Sequence, residues 1–229
     1  ISLTMFDIFL QIDSTGMAKA LAVQKESVMG LLVKGGVLMI PLAILFAMAI
    51  FFFIERLLAI RKASKIEENF MSIIRDQVVS GNITSARSLA KNTSNPVARM
   101  IDKGLQRIGK PIDAIEKSMD NVGTLEMYKM EKNMGVLSVV SKAAPIFGFV
   151  GTLMGLMQMF SNITTSNEFE VGTIAGGIYT KLITSITGLV IGLLAYLGYS
   201  YLNTQIDKTA NKMEAASSDF IDILQEPTR

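Results

Sequence analysis

Three stretches of this 229-residue chain are long and apolar enough to cross a lipid bilayer, and they limit the fold more than any other feature. A hydrocarbon core about 30 Å thick takes about 20 mostly apolar residues in a helix. Residues 35–54 (GGVLMIPLAILFAMAIFFFI) hold no charge between Lys34 and Glu55. A second span lies within residues 143–167, uncharged between Lys142 and Glu168. A third runs from about Gly176 to Leu202, with Lys181 as its single charge. Backbone inside lipid must satisfy its own hydrogen bonds, which leaves helices or a closed barrel. No alternating strand pattern occurs, so the expected class is an all-α polytopic membrane protein: three transmembrane helices extended into a cytoplasmic helical bundle. A mean hydropathy of +0.41 agrees with membrane residence.

Lys and Arg set the expected orientation. Fourteen of the 22 fall between Arg56 and Lys132, while the segment joining the second and third spans has none and carries Glu168 and Glu170. The N-terminus is therefore expected outside, in the periplasm, and the C-terminus in the cytoplasm. The chain divides into an outer-side N-terminal segment (1–34), a first span (35–55), a cytoplasmic helical domain (56–135), a second span (136–161), a short periplasmic loop (162–175), a third span (176–202) and a cytoplasmic helical tail (203–229). Within 16–34, Ala20, Val23, Ser27 or Val28, and Leu31 recur at helical spacing. That pattern fits an amphipathic helix on the outer membrane surface, with a loosely ordered leader as the alternative. The first residue is Ile, compatible with a removed signal peptide or a truncated start.

The cytoplasmic domain reads as helices separated by breakers. Ser80-Gly81-Asn82 interrupts one pattern, Asn95-Pro96 has the types of an N-cap and first helical residue, and Gly109 suits a stop. Pro111 opens a helix that meets no strong breaker before Lys142, which predicts one that runs straight into the second span. The tail continues the third span, with Leu202, Ile206, Met213, Phe220 and Leu224 near heptad spacing.

Several enzyme classes are excluded by composition. With no Cys and no His, the chain has no disulfide, no thiol or imidazole catalysis, and no Cys/His zinc site. GFVGTLMG lies inside an apolar run and not at a soluble helix start, so it is no phosphate cradle. Glu67-Glu68 is an adjacent pair on a water-facing helix. No catalytic residue, metal site or cofactor is expected, and a net charge of +2 gives no field for nucleic acid.

The two later spans carry the distinctive residues. Ala144, Gly148 and Thr152 share one face of the second span, with Pro145 beside them and Gly151 and Gly155 as a second small pair. Gly176, Thr180, Thr184, Gly188 and Gly192 recur every four residues in the third span, with Ser185 at the edge. Small residues at this spacing let membrane helices approach closely, and packing is the preferred reading of the glycines. Thr152, Thr180, Thr184, Ser185 and Thr187 place hydroxyls at membrane depth. Each could bond back to its own helix, but together they form a polar seam that water or a charged group could use. No Asp or Glu lies near the middle of any span, so a proton-carrying acid would have to come from another chain. Lys181 could snorkel outward or pair with a partner's acid.

AAPIFGFVGTLMGLMQMF (143–160) and GGIYTKLITSITGLVIGLLAYLGY (176–199) resemble, in order, the two signature segments of the MotA/TolQ/ExbB proton-channel family. Three spans resemble its ExbB/TolQ branch. The resemblance implies a pentamer enclosing a pore, entered by single-span helices of an ExbD- or TolR-like partner whose Asp carries protons. It further implies a proton-driven motor in the bacterial inner membrane, one that energises TonB-dependent transport or envelope processes, with a TonB- or TolA-like protein as a further partner. Thr152 matches the family's second-span pore threonine. Ser185 stands at its third-span threonine, with Thr184 and Thr187 adjacent. Where ExbB members often have Glu, this chain has Thr180 followed by Lys181, so no role of that carboxylate carries over. A flagellar or gliding-type stator subunit, a stand-alone ion channel or transporter, and a purely structural scaffold are the alternatives.

Overall fold

A computed structural model describes residues 36–65, 69–166 and 171–225. The amphipathic segment expected within 16–34 and the Glu67-Glu68 pair lie outside them. Every regular element among the described residues is helical: α1 (Met39–Ala63), α2 (Phe70–Val79), α3 (Ile83–Asn92), α4 (Pro96–Leu105), α5 (Ile112–Glu131), α6 (Met134–Ser166) and α7 (Val171–Gln225). Three of these helical stretches are long and apolar enough to span a membrane. The protein is all-α and polytopic.

Helix boundaries follow local chemistry. Gly36 takes φ +75° in the turn that opens α1, and Arg61 and Lys62 close its last turn, where cations suit the negative helix end. Gly81 takes the same φ after α2, and Asn82 then caps α3 by accepting from Ser85 N–H at 3.3 Å. Asn95 caps α4 by accepting from Ala98 N–H at 2.7 Å, with Pro96 at the first helical position. α5 does not run straight into the second span. It stops at Glu131, and Asn133 adopts φ +63° before α6 starts. Asn is among the few non-glycine residues that visit the left-handed region readily, so an inconspicuous Asn serves as the breaker. At their facing ends α6 and α7 take in residues to Ser166 and from Val171, more than a connecting loop of 162–175 allows.

The chain divides into two compact units: one joins the described residues up to Leu42 with Phe147–Thr187, the other joins Ala43–Ile146 with Gly188–Arg229. The second unit holds the soluble-type core. α4 buries Val97, Ala98, Met100, Ile101 and Leu105 and packs against α3 and α5. The far part of α7 buries Leu202, Ile206, Thr209, Met213, Ala216, Phe220 and Ile223, alternate steps of four and three residues that keep one face inward. Phe220 lies over Gly104, where an added Cβ would come 2.6 Å from both Phe220 Cε1 and Met119 Sδ. Ser64 and Thr209 join α7 to the residue after α1 by a 2.7 Å hydroxyl pair.

Also in this unit, Arg56 is buried. It forms a charged hydrogen-bonded pair with Glu55 and donates from Nη1 to Lys129 O at 3.2 Å. That carbonyl belongs to the last turn of α5, whose own donors have run out. Glu126 is buried in the same helix and accepts from Arg99 Nη2 at 2.5 Å and Lys129 Nζ at 2.6 Å. Burial alone would raise its pKa, but the hydrogen bonds and charges of Arg99 and Lys129 outweigh that and hold the carboxyl below its ordinary range. Sequence reading gave Glu126 no role, because Arg99 lies 27 residues away.

Candidate functional site: the seam between the two later spans

The first unit brings the hydroxyl residues of α6 and the start of α7 against each other. Gly148, Gly151 and Gly155 are all buried. An added Cβ on Gly148 would sit 3.0 Å from Ser185 O and 3.1 Å from Thr184 O, so the approach there is backbone to backbone. On Gly151 it would meet Thr184 Cγ2 at 2.9 Å. The methyl of Thr184 therefore fills the space over Gly151, and Thr184 is only 1% exposed. On Gly155 it would collide with the Cγ, Cδ and Cε of Lys181. The three glycines face three different partners: bare backbone, a threonine methyl and a lysine stem.

Thr152 lies at the centre of the seam. Its Oγ1 is placed to donate to Gly148 O on its own helix (3.2 Å) and to Lys181 O across it (3.3 Å). One proton shared between two long contacts leaves both carbonyls loosely held, and the hydroxyl oxygen keeps acceptor capacity. Thr187 donates to Ile183 O at 2.8 Å, the back-bond available to any helical threonine. Ser185 is half-buried beside Thr184. The side chain of Thr180 lies outside the described part.

The remaining small residues lie in the second unit. Ala144 and Gly188 are buried. A Cβ on Gly192 would come 2.5 Å from Pro145 Cγ and 2.9 Å from Ser141 O. Pro145 cannot supply the N–H that Ser141 O would accept within the helix, and Gly192 lies against this turn. Sequence reading named both residues but had no means of pairing them. It missed Gly198 altogether, against which Phe53 Cδ2 would lie 2.9 Å from an added Cβ.

Comparison with known proteins bears on this arrangement. The signature of the MotA/TolQ/ExbB proton channel family matches residues 92–215, more than half of the chain and all of the seam. The chain belongs to that family. A protein of Methanothermobacter thermautotrophicus described as a homologue of the biopolymer transport protein ExbB is 26% identical over 162 residues, covering 70% of this chain and 57% of that protein. Biopolymer transport protein ExbB of Neisseria gonorrhoeae is 27% identical over 94 residues, 41% of this chain and 43% of its own. The Tol-Pal system protein TolQ of Pseudomonas aeruginosa is 24% identical over 113 residues, 49% of each. The chain spans about half the length of these relatives. Within the MotA/TolQ/ExbB family it is ExbB/TolQ-like, and the family is one of proton channels.

Proposed function

We propose that this chain is the ExbB/TolQ-like subunit of a proton-motive-force-driven motor in the bacterial inner membrane. Copies of it, five by family resemblance, form a pore around the single-span helices of an ExbD- or TolR-like partner, which supplies the proton-binding Asp. A TonB- or TolA-like protein then carries the work to outer-membrane transport or to the envelope. The N-terminus and the loop near 162–175 face the periplasm, and the 56–135 domain and the tail face the cytoplasm.

One observation carries this reading: a seam of hydroxyls at membrane depth in spans that hold no acid of their own. The acceptor capacity of Thr152 suits a partner carboxyl that alternates between donor and acceptor as it gains and loses its proton. Ser185, Thr184 and Thr187 continue the polar face toward the cytoplasmic end, and Lys181 stands at its outer end. The family to which the chain belongs and its ExbB- and TolQ-named relatives support the same reading.

The test is Thr152→Val, alone and together with Ser185→Ala and Thr184→Val, in the full complex. Proton uptake into liposomes under an applied membrane potential should fall about tenfold, the equivalent of one hydrogen bond to a charged or charging group. Assembly should persist, because valine keeps the threonine shape over Gly151. Full proton flux in the triple variant would refute the role of the seam.

A further inference from the structure

Lys181 is half-buried in the seam, and its carbonyl accepts from Thr152, which places its backbone at the level of that threonine. Its methylene stem crosses Gly155, three residues further along α6, or about 4.5 Å along the axis. The stem therefore leaves the level of Thr152 and runs toward the end of α6 that the charge distribution assigns to the outside. Gly155 is its seat: any side chain there would occupy the space of Cγ, Cδ and Cε. A lysine stem laid in a fitted notch holds its ammonium close to one place, whereas a freely snorkelling lysine has no need of one. The sequence has no Asp or Glu from residue 132 to 167 or from 171 to 206, so neither span offers a counter-charge at that depth. A cation kept in such surroundings is costly and marks an ion path.

A fixed ammonium acts on mobile ions as an electrostatic barrier, and low-dielectric surroundings strengthen it. A sodium ion must pass it as a charge. A proton need not: it bonds covalently to the partner's carboxylate where that carboxylate faces the ammonium, which sodium cannot do, and the neutral acid so formed feels little of the barrier and releases the proton further on. We propose that Lys181, seated on Gly155, is the selectivity residue of this path, which excludes sodium and other mobile metal cations on the outer side of Thr152 and admits protons. This inference rests on the proton-path reading above and names its ion.

The experiment uses the full chain purified with its single-span partner, reconstituted in liposomes holding a pH-sensitive and a sodium-sensitive dye, under an applied membrane potential. The wild-type complex is expected to take up protons and exclude sodium. Lys181→Met keeps the length and removes the charge, and sodium entry should rise about tenfold or more relative to proton uptake. Lys181→Arg keeps the charge and should exclude sodium as wild type does, a rescue that a packing role would not give. Lys181→Gln replaces the methionine variant should that one not assemble. A charge-free variant that passes protons yet excludes sodium as wild type does would overturn the inference, as would an arginine variant as leaky as methionine. A wild-type complex that takes up no protons would remove the proton-path reading itself, and the inference with it.

Discussion

At the scale of single residues, this protein uses small side chains for unlike purposes. Gly148 admits a backbone, Gly151 a methyl, Gly155 a lysine stem and Gly192 the ring of Pro145. Among the charged residues outside the spans, Glu126 makes the clearest demand. Its folded pKa is depressed, so its pairing stabilises the fold fully above the unfolded carboxyl value of about 4.3, and that contribution is lost as pH falls through the lower folded value. Arg99 and Lys129 are both largely exposed, so solvent screening keeps the contribution small. Glu126→Gln is expected to cost about 1 kcal/mol at pH 7, and the deficit should shrink at a pH below the ordinary carboxyl range. Unfolding at the two pH values checks this; an equal deficit at both would contradict the ion-pair account.

At the scale of elements, α7 is the member that joins membrane and bundle. Its 55 residues are more than twice the roughly 20 that a bilayer core requires. Its far part holds to the bundle through a stripe whose largest buried side chain is Phe220, fully buried and resting on Gly104. Phe220→Ala would leave a void between α4, α5 and α7 and is expected to cost about 3–5 kcal/mol. The melting temperature followed by circular dichroism should drop accordingly, whereas alanine at exposed Leu125, on α5, should have little effect. The break at Asn133 matters at the same scale, because it separates α5 from α6 and frees the second span from the direction of the helix before it.

For the whole molecule, the proposed orientation rests on fourteen basic residues between the first and second spans and none between the second and third. The chain has no cysteine, so single cysteines report topology without background. Cysteine at Glu168 should react with a membrane-impermeant maleimide in intact cells or right-side-out vesicles. Cysteine at Lys110 or Lys212 should react only after the membrane is opened. The reverse labelling pattern would invert the arrangement. Large apolar side chains such as Ile146, Phe149, Met157 and Leu189 stand exposed on α6 and α7, a surface suited to lipid or to further helices.

The all-helical class, the three spans and the family were legible in the sequence, because lipid imposes its demands on composition locally. Asn95-Pro96 and Ser80-Gly81-Asn82 were legible for the same reason: caps and left-handed turns depend on residues a few positions apart. The Asn133 break was not, since Asn only permits that conformation and does not require it. Small-residue stripes announce close packing but leave the partner open, and for that reason only the tertiary structure decided that Gly155 seats Lys181 and that Pro145 meets Gly192. Glu126, joined to a residue 27 positions away, belongs to the same class: its role depends on which side chain arrives through space, and sequence spacing holds no record of that.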